Sequence, residues 1–318
     1  MPPKCHSQTR WCFDVKWLID RCMQIYVNNL RLEVEDTGER DRPAVLLIAG
    51  MSMQLIVWPE YLLKQLHQAG YRVVRFDNRD NGLSESMDHL GTPNILWFML
   101  QQKLGLKVNL PYTIQDMTRD ALGVMDHLQL QQAHLVGVSM GGMIAQRLCV
   151  TAPERVLSLT SIMSTSGAKG LPGPTPAMRR VLMTPPAQSG SPAARAHGLR
   201  FVKALAGPGF VHPEGSQEQL VDDSLKRSNR PAGSYRQMLA AMADRDRWRL
   251  LPRITAPTLV IHGTADPLIP YACAQDTAAR IPGAKLFGIE GMGHDFPPAA
   301  LEQLTARLLP FLQAHTPL

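Results

Sequence analysis

A serine held between glycines, where a strand gives way to a helix, is the residue of this chain best placed to attack a carbonyl. The segment Gly137-Val138-Ser139-Met140-Gly141 reads G-x-S-x-G, after the apolar run Ala133–Val138 and before an apolar helical stretch, Gly141–Val150. So tight a turn strains the serine backbone and lifts its hydroxyl clear of the sheet, and a β-carbon at either glycine would meet neighbouring backbone. A serine hydroxyl is a weak nucleophile near neutral pH, so a base must take its proton. His294, in Gly291-Met292-Gly293-His294 after the strand-like Lys285–Ile289, is the candidate base, whereas His127 and His134 occupy ordinary helix and strand positions. The base needs a carboxylate to hold its tautomer. Asp266 follows the strand-like Pro257–His262, 28 residues before His294. Asp295 is a rival acid, but a side chain next to His294 in the chain points away from its ring. The oxyanion that forms on attack needs amide donors. Met140, next after the serine, supplies one. Met51, in the turn Ala49-Gly50-Met51-Ser52 after the apolar run Ala44–Ala49, supplies the other. This chemistry calls for no cofactor, and no group of His, Cys and carboxylates has metal-ligand spacing.

All five positions fall at the ends of strands, so the strands must share an edge. Gln24–Asn28 and Leu30–Glu35 alternate as a hairpin about Asn28-Asn29. Beyond it, the runs Ala44–Ala49, Tyr71–Phe76, Ala133–Val138, Val156–Met163, Pro257–His262 and Lys285–Ile289 alternate with helical stretches at 59–69, 113–128, 141–150 and 298–314. Such alternation predicts a mainly parallel sheet covered by helices on both faces. Right-handed crossovers then bring every strand's carboxyl end to one edge. Residues 168–251 break the pattern. Eight of the 43 residues from Leu171 to Pro213 are proline, while Gln217–Lys226 and Tyr235–Ala243 have helical spacing. The expected organisation is an N-terminal extension at 1–22, a core made of 23–167 and 252–318, and a helical cap at 168–251 over the carboxyl edge. The long connection Ser84–Pro111 is expected to form a second wall. Met51, Met53, Met140, Met143 and Met292 crowd the same site by sequence, which suits an adaptable apolar pocket.

Composition removes other classes. Of 318 residues, 33 are Lys or Arg and 27 Asp or Glu, a net charge of +6 spread without any run of five basic residues. A nucleic-acid stripe is therefore not expected. No stretch of about 18 apolar residues is present, so no membrane span is expected. Residues 1–22 lack a secretory signal pattern. Trp11, Val15, Leu18 and Ile19 in that segment have the spacing of an amphipathic helix. Five cysteines without a CxxC pair fit reduced thiols in the cytoplasm.

The order Ser, Asp, His along the chain is that of the α/β-hydrolases, and the chain resembles that superfamily over nearly all of residues 23–315. FDNRDNGLS at 76–84, GVSMGGMIAQ at 137–146 and GIEGMGHDFP at 288–297 resemble the aclacinomycin-methylesterase-like group of bacterial esterases. The resemblance implies an α/β-hydrolase fold with an inserted helical cap and a cofactor-free serine hydrolase acting on small-molecule carboxylic esters. It carries the triad to Ser139, Asp266 and His294 and the oxyanion donors to Met51 and Met140. Asp77 and Arg79 brace the nucleophile loop in such proteins. Two features depart from the group: Ala49-Gly50 stands where His-Gly is usual, and residues 1–22 have no counterpart. A serine at the elbow argues against haloalkane dehalogenases and epoxide hydrolases, which place aspartate there. A carbon–carbon bond hydrolase, an acyltransferase and an inactive small-ligand-binding protein remain as alternatives. Removing residues 1–22 is expected to leave hydrolysis of a small soluble ester largely intact, as measured by kcat/KM of the truncated chain.

Overall fold

The apolar runs of the chain become the middle of one sheet. The computed structural model describes residues 22–104, 106, 108–184 and 191–317. Its strands are β1 (Cys22–Val27), β2 (Leu30–Asp36), β3 (Ala44–Ile48), β4 (Arg72–Phe76), β5 (Ala133–Val138), β6 (Val156–Ile162), β7 (Thr258–Gly263) and β8 (Lys285–Ile289). They lie in the order β1-β2-β4-β3-β5-β6-β7-β8. The first two strands form the expected antiparallel hairpin, turned by Asn28 and Asn29 at φ 50° and 60°. Asparagine tolerates this left-handed pair, which matches the strand twist. β2 pairs antiparallel with β4, and from β4 to β8 all pairings are parallel. β1 starts at Cys22, paired with Glu35, so a truncation that spares the sheet keeps Cys22. The spaced residues Trp11, Val15, Leu18 and Ile19 lie outside the described residues.

The helices are α1 (Glu60–Gln68), α2 (Ile95–Lys103), α3 (Ile114–His127), α4 (Met140–Thr151), α5 (Pro176–Met183), α6 (Pro192–Leu205), α7 (Ser216–Arg227), α8 (Pro231–Ala243), α9 (Ala272–Arg280) and α10 (Pro298–Gln313). Every residue of β3 and of β5 is buried, as a strand covered on both faces must be. On one face Leu46, Ile48 and Leu135 pack with Met117 and Val124 of α3 and Ile144 and Leu148 of α4. On the other, Val45, Leu47 and Val136 pack with Leu62 and Leu66 of α1 and Leu304 and Leu308 of α10. Neighbouring residues of β3 thus serve opposite cores, the period-two rule of a strand. α3 starts in a capping box between Thr113 and Asp116.

Four helices, α5 to α8, lie between β6 and β7 as the inserted cap. Sequence spacing predicts α7 and the second half of α8, but not α5 or α6. The prolines that obscured them begin helices: Pro176 and Pro192 stand in the first turns of α5 and α6, as Pro231 does in α8, where the missing N–H costs nothing. α9 is likewise unannounced. The connection 84–111 contains α2, which buries Phe98 and exposes Leu96, Trp97, Met99 and Leu100.

His134 on β5 is fully buried, with Nδ1 2.7 Å from Ser158 Oγ and Nε2 3.0 Å from Thr316 Oγ1. Burial pushes its pKa down to about 4, and the charge of His315 adds to this. Such a group binds its proton more readily in the unfolded chain. Its stability contribution is therefore flat above pH ~6.5 and is lost as pH falls from there toward about 4, by on the order of 3 kcal/mol. The melting temperature of the protein is expected to drop across that window, and His134→Gln to flatten the drop, in thermal unfolding followed by circular dichroism.

Candidate active site

Ser139 follows β5 directly and adopts φ 55°, ψ −120°. Only the glycines around it make room. A Cβ on Gly137 would lie 2.3 Å from the Gly141 carbonyl oxygen, and one on Gly141 would lie 1.9 Å from the Ile48 carbonyl oxygen. The strained residue is pinned on both sides: its amide donates to the Ile162 carbonyl at 2.8 Å, and Ser164 Oγ donates to its carbonyl at 2.7 Å. α4 begins at Met140, one residue before its expected start.

The turn after β3 lies against this elbow, since a Cβ on Gly50 would stand 3.1 Å from Ser139 Cβ. The Met53 amide closes the turn on the Gly50 carbonyl at 3.2 Å. Among the described residues, neither the Met51 amide nor the buried Met140 amide donates a hydrogen bond to a protein acceptor. The segment 77–84 braces this turn. Asn78 Nδ2 donates to the Ala49 carbonyl at 2.9 Å, Asn81 Nδ2 to the Met53 carbonyl at 2.7 Å, and the Leu55 amide to Asp77 Oδ1 at 2.7 Å. Those partners all belong to the Met51 side, whereas the resemblance assigns the bracing to the nucleophile loop. Arg79 turns away and pairs with Asp120 of α3 at 2.5 and 2.6 Å.

Asp266 lies in the loop after β7 and His294 in the loop after β8. The loops are stitched together by the Ala265 amide on the Met292 carbonyl (3.0 Å) and the Gly291 amide on Thr264 Oγ1 (2.9 Å). His294 Nδ1 meets Asp266 Oδ2 at 2.6 Å, and both side chains are buried. Asp266 Oδ1 accepts the amides of Leu268 and Ile269, each at 2.8 Å. Burial alone would raise the pKa of this carboxyl. The charge of His294 and the hydrogen bonds from His262 and His294 outweigh it and hold the group well below the usual carboxylate range. His262, at the end of β7, donates from Nε2 to the Ile269 carbonyl at 2.7 Å and lies 3.2 Å from Asp266 Oδ2. Spacing did not single it out, although it stands four residues before Asp266 on the same strand end.

Val138, Met163 and Met292, beside the serine, at the end of β6 and beside the histidine, share one buried cluster against which Met53 packs. The structure therefore gathers the five expected positions at one sheet edge and joins Asp266 to His294. It forms no hydrogen bond from Ser139 Oγ to His294, a contact that in such sites often tightens only with substrate in place. Asp295 faces the cap instead, with Oδ2 2.7 Å from His212 Nε2. Beside it, the His294 amide donates to the Leu205 carbonyl of α6 at 2.8 Å.

A strained serine at a strand-to-helix elbow, on the carboxyl edge of a mainly parallel sheet beneath inserted helices, defines the architecture of an α/β hydrolase. The chain belongs to that family: the pattern of the alpha/beta hydrolase fold matches residues 43–297. It is 30% identical over 308 residues to the rhodomycin D methylesterases DauP of Streptomyces sp. (strain C5) and DnrP of Streptomyces peucetius, with 89% of this chain and 95% of each relative covered. The solved esterase EaEST from Exiguobacterium antarcticum shares the fold at 21% identity, with a TM-score of 0.71 over 92% of this chain and 99% of that one.

Asp266 and Asp295 are separated by a simple comparison. Asp266→Asn is expected to lower kcat by about 10⁴-fold, because the amide favours the wrong His294 tautomer. Asp295→Asn, which disturbs only a contact with His212, is expected to stay within about tenfold of the parent. Ester turnover by the two purified variants, with circular dichroism to confirm folding, measures both.

Proposed function

We propose that the chain is a carboxylic ester hydrolase that works through an acyl-enzyme on Ser139, with His294 as base, Asp266 as its carboxylate partner and the Met51 and Met140 amides as the oxyanion donors. The observation that carries this reading is the buried Asp266–His294 hydrogen bond at 2.6 Å, formed at the same sheet edge as the strained Ser139. With Nδ1 donating to Asp266, the His294 Nε2 is the nitrogen left to accept the Ser139 proton. Ser139 Oγ attacks the ester carbonyl, and the two unpartnered amides receive the negative oxygen. His294 passes its proton to the leaving alcohol, then takes one from the water that attacks the acyl-enzyme and returns it to Ser139 Oγ as the acyl–oxygen bond breaks and the acid is released.

The relatives at 30% identity are named methylesterases of rhodomycin D, which supports a methyl ester of a bulky small molecule as the substrate class. A cytoplasmic setting belongs to the same reading. It is supported by the odd cysteine count and by the buried free thiols of Cys149 and Cys273.

A fluorophosphonate probe is expected to label Ser139, and Ser139→Ala to abolish both labelling and turnover of p-nitrophenyl acetate by several orders of magnitude. Labelling that survives in Ser139→Ala overturns the assignment. A panel that sets methyl esters of polycyclic acids against short-chain esters reads the substrate class, and a preference for the short-chain esters removes the methylesterase reading.

A further inference from the structure

The turn that carries Met51 is gripped from the cap as well as from the core. Gln237 lies on α8 and is completely buried. Its Oε1 accepts the Ser52 amide at 2.9 Å and its Nε2 donates to the Arg79 carbonyl at 2.8 Å. It thus bridges the Met51 turn and the 77–84 segment.

Ser52 is the third residue of the turn that the Gly50 carbonyl and Met53 amide close, and its φ is +59°. A positive φ at that position is the mark of a type II turn, which prefers glycine there. With serine in the place, the central peptide between Met51 and Ser52 has a competing type I orientation, reached by rotating that peptide about halfway round. In the alternative, the Ser52 N–H points away from Gln237 and the Met51 carbonyl takes its side. The hydrogen bond from the Ser52 amide to Gln237 therefore selects the observed form, and it ties the whole turn to α8; the Met51 N–H, which belongs to the preceding peptide, is placed by that anchoring and not by the rotation.

Gln237 is itself held still. Arg236, its neighbour on α8, is buried and pairs with Asp80 at 2.5 and 2.7 Å, with Asp88 at 2.8 Å, and donates to the Gly91 carbonyl at 2.5 Å. The Arg79 carbonyl belongs to a residue whose side chain is fixed on Asp120. The Nε2 end of the Gln237 amide thus meets a partner that is itself fixed, which leaves the Oε1 end to hold the Ser52 amide, and the mechanism above uses neither.

We propose that Gln237 is a positioning residue for the oxyanion hole, anchoring the Gly50–Met53 turn to α8 and the 77–84 segment and so fixing where the turn, and with it the Met51 amide, lies against the Ser139 elbow. Docking of α8 then completes the hole as well as roofing the site. The inference rests on Met51 serving as an oxyanion donor. Gln237 touches no substrate, so its loss acts on the transition state and leaves ground-state binding nearly unchanged.

The test is steady-state kinetics on p-nitrophenyl acetate together with inhibition by an aryl boronic acid, which adds to a serine to form a tetrahedral anion. Gln237→Leu is expected to lower kcat roughly 10- to 100-fold with KM within about threefold, and to weaken the boronic acid by a similar factor. Gln237→Glu, which keeps an acceptor for the Ser52 amide, is expected to recover kcat to within about fivefold of the parent. If Gln237→Leu does not fold, Gln237→Asn, too short to reach Ser52, replaces it with the same expected losses. Unchanged kcat and unchanged boronic acid affinity overturn the inference, as does a defect confined to KM. Ser139→Ala in the same assay separates the two levels. Turnover surviving there removes the ester-hydrolase reading itself, whereas an inactive Ser139→Ala beside a fully active Gln237→Leu removes only the role of Gln237.

Discussion

Ser139 holds a backbone conformation that a residue with a side chain adopts only under constraint, and the molecule is arranged around keeping it there. At φ 55° and ψ −120° the residue stands outside the usual regions for an L-amino acid. Strain of this kind costs of order 1–3 kcal/mol and persists only where the surroundings over-determine it. Here they do so through the Ile162 carbonyl on one side, Ser164 on the other, and two glycines whose missing side chains let β5, β3 and α4 approach to backbone contact. The two buried cores on either face of the sheet are what make that frame stiff.

The rest of the site hangs from the same edge by hydrogen bonds between loops. The loops after β7 and β8 exchange backbone bonds before their side chains meet, so the Asp266–His294 pair is set by main-chain geometry. The cap joins through buried charge: Arg227 on Asp77, Arg236 on Asp80, and Arg247 with Arg147 on Asp244. Buried ion pairs add little net stability because desolvation offsets their attraction, but leaving one partner alone is costly. Here they tie α7, α8 and the chain after α8 to carboxylates of the 77–84 segment and to Arg147 of α4.

What could be read from the sequence was whatever depends on near neighbours in the chain. The Asn28-Asn29 hairpin, the apolar strands, the helical stretch that becomes α3 and the glycines about Ser139 each rest on local spacing, and each has its counterpart in the structure. Asp266 and His294 were visible because each follows a strand at the edge where sites form. The rest depended on contacts across the fold. α5 and α6 hid behind prolines that start helices as readily as they break them. Gln237 and His262 matter through partners 185 and four residues away, and no pattern distinguishes a glutamine facing a turn amide from one facing solvent. The 77–84 segment was recognisable as a brace, but which loop it holds is set by Asn78 and Asn81 reaching back to the β3 side.

The fastening of the cap bears on modularity. Because Arg227, Gln237 and Arg236 on α7 and α8 reach into the 77–84 segment and the Met51 turn, the inserted helices and those core loops form one mechanical unit. Exchanging residues between β6 and β7 for those of a relative, a common route to altered selectivity, would strand Asp77 and Asp80 as uncompensated buried charges unless the graft brought its own cations in register. Recombination in this scaffold therefore has its natural crossover points outside the pair of segments, and a chimera that moves both together inherits a working seam.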